Sequence, residues 1–171
     1  MITILFKVCN QIFQNFYDQI INSLPFHRIK CPCGHYGTLI RYGRYPRKVK
    51  WQSALVPLKI QRVFCKECRH THALLPSFLV PYSRIPLADQ QEILLCLEND
   101  QQPIEVMLRN YLIDESNIKY LVHQFRKHWK QRLLAIGVSL SDSLTVPCLT
   151  AYSRQFMQIH RTRNILFAPP T

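Results

Sequence analysis

The stretch KCPCGHYGTL, residues 30–39, decides how the first half of the chain is interpreted. It places Cys31 and Cys33 one residue apart around a proline, and Gly34 follows at once. Cysteine pairs that bind zinc are typically separated by two or more residues, so the C-x-C spacing alone allows two interpretations. The pair is either half of a metal site or two reduced, buried thiols.

A second pair of cysteines follows in FCKEC, residues 64–68, where Cys65 and Cys68 have C-x-x-C spacing. The segment between the two pairs has a pattern typical of two strands joined by a turn. Zinc takes four ligands in a tetrahedron, and a tight turn supplies two thiolates at adjacent corners. We therefore predict one structural Zn²⁺ held by four ligands: Cys31, Cys33, Cys65 and Cys68.

Nearby histidines leave one alternative open for the ligand set. A histidine is able to replace one cysteine, and His35, two residues after Cys33, is favoured over His70 and His72. Four cysteine ligands remain the prediction. We expect the other cysteines, which lie in apolar surroundings, to be small core residues: Cys9, Cys96 and Cys148.

Three stretches within residues 27–82 favour short strands: TLIRYGRY (38–45), LVPLKIQRVF (55–64) and THALLP (71–76). The stretch GRYPRKVKW, residues 43–51, is interpreted as a basic turn between the first two strands. So small a segment buries too little apolar surface to fold alone, and a structural metal offsets that deficit. We predict residues 27–82 to be a small antiparallel zinc ribbon.

The N-terminal segment is predicted to be an amphipathic helix. Apolar residues recur at a spacing near 3.6 over residues 4–24, so residues 1–26 form a helix that docks on the rest of the protein. Its polar face lacks the Lys and Arg of a membrane-surface helix, and we expect no membrane partner. Seven cysteines without a secretory signal favour a reducing, cytoplasmic location, where cysteine pairs bind metals.

The second half of the chain is predicted to be helical. Pro86 and Pro103 are each suited to begin a helix, and Asp114 or Ser116 caps a third, long helix that ends at Gly137. A short helix, a tight connection and a longer basic helix resemble a helix-turn-helix. The predicted fold class is α+β, with an antiparallel zinc ribbon joined to this helix-turn-helix-like bundle (residues 83–138) and a basic tail (residues 139–171).

The third helix separates an apolar face from a basic one. One stripe at helical spacing is predicted to pack in the core: Ile118, Leu121, Val122, Phe125, Trp129 and Leu133. A second stripe is predicted to face duplex DNA: Lys119, His123, Arg126, Lys127 and Lys130. A helical pair with a solvated basic face is the alternative interpretation.

The charge of the chain is strongly uneven. Lys and Arg number 22 against 10 Asp and Glu, which gives a net charge of +12. Residues 27–72 hold 11 basic residues and one acidic residue, Glu67, so this segment carries +10 of the total. Such clustering favours an anionic partner, most often nucleic acid, over a merely soluble surface.

The basic residues of the predicted ribbon turn are the candidate phosphate contacts: Arg41, Arg44, Arg47, Lys48 and Lys50. Aromatic residues are interspersed among them, and we expect sheet packing, with stacking on unpaired bases as the alternative, for three: Tyr42, Tyr45 and Trp51.

The stretches CPCG, RVFCKECRHTHALLPSFLVPYSRIPLADQQ and HWKQRLL resemble a bacterial family known only as a domain of unknown function, DUF6431, over most of residues 26–137. The run from the C-x-x-C pair through THALLP is also similar to the zinc-ribbon and helix-turn-helix front end of some insertion-sequence transposases. That second resemblance implies DNA binding at transposon ends, with the four cysteines as structural ligands. The family has no established activity that extends to this chain.

The sequence contains no convincing catalytic site. A carboxylate-type transposase needs three acidic residues on a nuclease core. Only 34 residues follow Gly137, and Asp142 is the one acidic residue among them. The run His70-Thr71-His72 with Tyr152 matches a one-tyrosine nuclease weakly, because Thr71 stands where that motif has an apolar residue. We therefore expect the protein not to be an enzyme.

These features predict a non-catalytic, zinc-dependent DNA-binding protein associated with a mobile element. Duplex DNA is the expected partner, with a transposase or other protein as a further one. Two alternatives stay open, namely an RNA or single-strand binding protein and a protein-interaction module held together by zinc. The recognised site and the oligomeric state are not predicted.

Overall fold

The computed structural model describes residues 2–4 and 14–135, with side chains as far as Arg126 in the last helix. The chain forms two compact units. The first contains the chain up to Trp51 together with Leu55–Ser77, and the second contains Gln52–Ala54 and the chain from Phe78 onward. The first unit is built on a sheet and the second on helices, so the predicted α+β class is confirmed.

The sheet of the first unit has four strands in the order β1-β4-β3-β2. These strands are β1 (Ile2–Ile4), β2 (Leu39–Trp51), β3 (Ala54–Cys65) and β4 (Thr71–Pro76). β3 and β4 are antiparallel, with Val63 opposite His72. The three strands predicted within residues 27–82 are therefore present.

The basic turn predicted at residues 43–51 is wrong, because β2 continues to Trp51. The turn lies instead at Gln52 and Ser53, whose φ angles of 44° and 62° suit a two-residue hairpin. Pro46 lies within β2, which is an edge strand, where a proline without an N–H is tolerated. The basic side chains therefore lie along a strand.

The predicted helix over residues 4–24 is wrong at its start and confirmed at its end. Ile2–Ile4 form a strand parallel to β4, with Ile2 opposite Leu74, and the amide of Ser77 donates to the Ile4 carbonyl (2.8 Å). Helix α1 covers Gln14–Ser23, and residues 5–13 lie outside the described part. Pairing with a distant strand overrides the local helical periodicity here.

Helix α1 docks on the sheet through hydrogen bonds to strand backbone. The Tyr17 hydroxyl donates to the Leu74 carbonyl (2.9 Å) and accepts from the Gln61 amide (2.9 Å), so it joins β4 to β3. The side chain of Gln14 accepts from the Lys59 amide (2.6 Å). Burial of Tyr17 raises the pKa of its hydroxyl to about 12, so the hydroxyl stays protonated at neutral pH.

The second unit contains the three predicted helices, α2 (Leu87–Glu98), α3 (Ile104–Arg109) and α4 (Glu115–Ala135). As predicted, α2 and α3 follow Pro86 and Pro103. The Asp114 carboxylate accepts from the Asn117 amide (2.9 Å), which makes Asp114 the cap of α4. The helices share one core: Ile85, Ile93, Leu94, Val106, Ile113, Ile118, Leu121 and Phe125.

Polar contacts complete the second unit. Arg109 bridges the Asp89 and Glu92 carboxylates, each at 2.8 Å. The Ser53 hydroxyl accepts from the Tyr111 amide (3.1 Å). The predicted end of α4 at Gly137 and the tail of residues 139–171 lie outside the described residues. Across residues 2–4 and 14–135, every helix is too short or too polar to cross a membrane.

Candidate metal centre

Two tight turns in the first unit hold the cysteine pairs. In the first turn, the Cys31 amide donates to the His35 carbonyl (2.9 Å) and the Gly34 amide donates to the Cys31 carbonyl (2.8 Å). Gly34 has a φ of 99°, a left-handed conformation that glycine adopts without strain. The second turn repeats the pattern, since the Cys65 amide donates to the His70 carbonyl (3.0 Å). We call these turns the first and second knuckle, residues 31–35 and 65–70.

The knuckles bring four sulfur atoms together. The Sγ atoms of Cys31 and Cys68 lie 3.7 Å apart, as do those of Cys33 and Cys65, and all four lie within 4.8 Å of one another. Sulfurs placed about 2.3 Å from a tetrahedral metal ion are separated by roughly 3.8 Å. Each of the four cysteines is free of a disulfide bond. The four cysteines predicted as ligands therefore converge with the spacing that a metal ion requires.

The predicted alternative ligand, His35, lies beside this set. Its Nδ1 atom is 3.4 Å from the Cys33 sulfur, while His70 Nδ1 lies 2.6 Å from the Cys68 carbonyl. Among the described residues, the metal-binding group that converges consists of the four cysteines without a histidine. The geometry therefore favours four thiolates over three thiolates and an imidazole.

His72, the least favoured of the predicted alternative ligands together with His70, lies beside the cluster. It is 9% exposed, and its Nε2 atom lies 3.4 Å from the sulfur of Cys31 and 3.9 Å from that of Cys68. It therefore touches one cysteine of each knuckle. The sequence signal for this position is the alternation of side chains along β4. Thr71 faces outward, and His72 faces inward like Val63, its partner on β3.

The cluster favours ionisation of some thiols over others. The backbone amide of His35, followed by its ring, lowers the pKa of Cys33 to about 6. Burial raises the pKa of Cys31. Burial also opposes ionisation of Cys65, but the Thr38 hydroxyl, 3.2 Å away, is among the donors that lower its pKa overall. Cys33, the exposed cysteine of the four, is therefore largely ionised at neutral pH and able to bind a metal cation.

Two of the predicted phosphate contacts are engaged with helix α1. The Arg41 guanidinium donates to the Asn22 side chain (3.0 Å), and Arg44 forms an ion pair with Asp18 (2.8 Å). Residues three apart on a regular strand face opposite sides, so this shared direction requires a break in the alternation. Gly43, whose φ is 98°, supplies that break.

The other three predicted contacts on β2 differ in exposure. Lys48 is exposed, whereas Arg47 and Lys50 are half-buried. Burial lowers the pKa of Arg47. Lys48 is therefore the member of the predicted set on β2 that is most open to solvent without a docking role.

The two faces of α4 are partly described. Ile118, Leu121 and Phe125 are buried and Val122 is half-buried, as predicted. The predicted basic face has exposed side chains at Lys119, His123 and Arg126, and Lys119 forms an ion pair with Glu115 (2.8 Å). Four further predicted side chains lie outside the described part: Lys127, Trp129, Lys130 and Leu133.

Residues 26–107 match the model of a family described as a domain of unknown function, DUF6431. The match confirms the predicted resemblance to this family. It spans both knuckles, the strands between them and helix α2, and it ends within α3. No curated protein and no solved structure matches the chain.

Proposed function

We propose that this chain is a non-catalytic DNA-binding protein whose first unit is held together by one structural Zn²⁺. Four thiolates in tetrahedral spacing are a donor set typical of structural zinc. The site has four protein donors and needs no further ligand, which favours a structural role over a catalytic one. Zinc would join the two knuckles, which lie at the two ends of the long β2–β3 hairpin.

The observation that carries DNA binding is the density of exposed cations on the first unit. The segment of residues 27–72 carries a charge of +10. Within the described residues, seven of its cations are exposed and form no ion pair: Arg28, Lys30, Arg41, Lys48, Lys59, Lys66 and Arg69. Cations left without acidic partners on one unit are suited to the phosphates of a nucleic acid.

This proposal modifies the predicted contact residues. Arg41 and Arg44 hold helix α1, so we assign them to the fold first and to DNA second. Lys48 keeps its predicted role, and Lys66 on the second knuckle joins it. In the second unit, His123 and Arg126 would face the duplex if α4 acts as the recognition helix of a helix-turn-helix-like bundle.

The association with a mobile element is part of the proposal and rests on the sequence resemblance alone. It implies a transposase or a related protein as a second partner. A catalytic transposase gene beside this one in genomes that encode it would support the association, and consistent neighbours of another kind would contradict it.

The experiment that tests DNA binding is a titration of labelled duplex DNA at several salt concentrations. We expect wild-type protein to bind at physiological salt with a steep salt dependence. Lys48→Ala and Lys66→Ala should each weaken binding and reduce the salt slope by about one. Arg84→Ala is the control, because this exposed arginine lies in the second unit outside the proposed contacts.

The absence of wild-type binding at physiological salt would contradict the proposal. The cations would then face an acidic protein partner, and the zinc-stapled interaction module would become the better interpretation.

A further inference from the structure

The sheet of the first unit has a second face, opposite the one that carries His72. Directly paired residues of antiparallel strands point to the same face. Val63 and His72 therefore share the buried face, while Arg62 with Ala73 and Phe64 with Thr71 occupy the opposite one. Thr71 is exposed, and Arg62, Phe64 and Ala73 are half-buried.

An exposed tyrosine from β2 completes this face. The ring centroids of Tyr42 and Phe64 lie 5.7 Å apart with an interplanar angle of 35°. The guanidinium carbon of Arg62 lies 5.6 Å from the Tyr42 ring centroid. Tyr42 is 53% exposed, and Ile40, two residues earlier on the same strand, is 42% exposed. We call Ile40, Tyr42, Arg62 and Phe64 the aromatic platform.

The charged residue of the platform, Arg62, packs against the aromatic ring of Tyr42. Among the described residues, Arg62 forms no ion pair, and its buried Nε atom has no hydrogen-bond partner. A buried donor without a partner is uncommon in folded proteins and destabilises them. Arg44, by contrast, forms an ion pair with Asp18 at 2.8 Å. The fold therefore keeps a guanidinium beside an exposed ring without using it for an internal ion pair.

We propose that the aromatic platform binds an unpaired nucleobase of a nucleic acid. The base would stack on Tyr42, and the neighbouring phosphate would contact Arg62. Stacking suits this surface because every base presents a flat π-face, and an aromatic side chain beside cations is the common means of binding single strands. The inference rests on the proposed nucleic-acid binding and specifies its substrate as a duplex that carries unpaired bases.

The charge around the platform supports this occupant over an apolar protein segment. The platform belongs to the segment that carries +10, and its own charged residue is a cation. An apolar partner would leave the Arg62 guanidinium buried without a counter-charge, which is unfavourable. A polynucleotide supplies a ring and an anion at adjacent positions.

The test compares three probes of one sequence on the full, zinc-loaded chain: a blunt duplex, the same duplex with a short single-stranded overhang, and the single strand. The overhang carries 2-aminopurine, whose fluorescence falls when it stacks. We expect the overhang duplex to bind about tenfold more tightly than the blunt duplex, as stacking of one base allows. We also expect the 2-aminopurine signal to be quenched.

Variants of the platform separate stacking from general attraction. Tyr42→Ala should abolish both the preference and the quenching while leaving blunt-duplex affinity unchanged, and Tyr42→Phe should retain both. Tyr42→Val, which favours a strand, replaces Tyr42→Ala if the alanine variant loses zinc. Tyr36→Ala is the matched control, because Tyr36 is 62% exposed near the first knuckle but outside the platform.

Each outcome bears on one claim. Equal affinity of the wild type for blunt and overhang duplexes, or a preference that survives in Tyr42→Ala and Tyr42→Val, would overturn the platform proposal while DNA binding stands. Failure of the wild type to bind any probe would overturn DNA binding itself, and the platform with it.

Discussion

At the scale of single residues, the four cysteines have unequal surroundings. Cys31 and Cys65 are buried, Cys68 is half-buried and Cys33 is exposed. Cys96, by contrast, is half-buried in α2 and lies outside the cluster. The distinction between ligand and core cysteine is therefore a matter of position in a knuckle, and it is open to direct test.

Substitution of one knuckle cysteine should remove the metal. We expect one zinc per wild-type chain and a loss of that zinc in Cys65→Ser, because three thiolates leave a corner of the tetrahedron empty. Cys96→Ser is the matched control and should retain one zinc per chain. The metal content of the purified proteins checks this. One zinc per chain in Cys65→Ser would contradict the proposed metal site.

His72 stands next to the cluster as a neighbour of two sulfurs. Groups that hydrogen-bond to metal ligands orient them, and their loss typically lowers metal affinity by about 10- to 100-fold. Burial lowers the pKa of His72 to about 4, so its ring is neutral at pH 7 and carries one N–H. A neutral N–H donor stabilises the negative charge of the bound thiolates, whereas a cationic ring would compete with the metal ion for them.

His72→Phe should weaken metal binding while preserving a buried ring. We expect zinc affinity to fall by about tenfold or more and the charge-transfer bands of the Co²⁺-substituted protein to shift. His72→Asn should recover part of the affinity because it restores a donor. His27→Phe, at an exposed histidine of the same unit, is the control. An unchanged affinity in His72→Phe would show that the sulfurs need no such donor.

At the scale of elements, helix α1 is anchored to the sheet by hydrogen bonds and an ion pair. Its Tyr17 hydroxyl satisfies a backbone carbonyl on β4 and a backbone amide on β3. Arg44 on β2 reaches the same helix through Asp18. Helix α1 thus contacts three strands of the sheet. This packing leaves the Tyr17 side chain only 1% exposed.

Tyr17→Phe should destabilise the first unit by about 2–4 kcal/mol, since it leaves two buried backbone groups without partners. The pKa of Tyr17 rises from 10.0 to about 12 on folding, so its contribution is complete below pH 10 and declines as the pH rises towards 12. Urea unfolding and exchange of the Gln61 amide measure the effect. Tyr36→Phe, at an exposed tyrosine, should change stability by less than about 0.5 kcal/mol. Equal stability of both variants would contradict the docking role of Tyr17.

At the scale of the whole molecule, the two units are stabilised in different ways. The first has a sheet, helix α1 and the cysteine cluster, while the second has a continuous apolar core formed by three helices. The knuckles belong entirely to the first unit. The metal should therefore matter to one unit far more than to the other.

Removal of the metal should unfold the first unit selectively. Structural zinc contributes roughly 10–16 kcal/mol in small modules, far more than a small sheet supplies by burial. We expect a chelator to abolish amide protection in β3 and β4 and to leave protection in α2 and α4. Hydrogen exchange resolved by residue measures this, with zinc re-addition as the control for reversibility. Simultaneous loss of protection in both units would contradict the separation.

Features that depend on local chemistry are predictable from the order of the amino acids alone. The two cysteine pairs, the helices that follow Pro86 and Pro103, and the Asp114 cap each rest on residues a few positions apart. Features that depend on partners far away in the chain emerge only when the chain is folded. Ile2–Ile4 form a strand because β4 offers a free edge, and Arg41 and Arg44 face helix α1 because Gly43 interrupts the alternation of β2. Such choices depend on contacts between residues far apart in the chain, whose energies exceed the local propensities that a sequence displays.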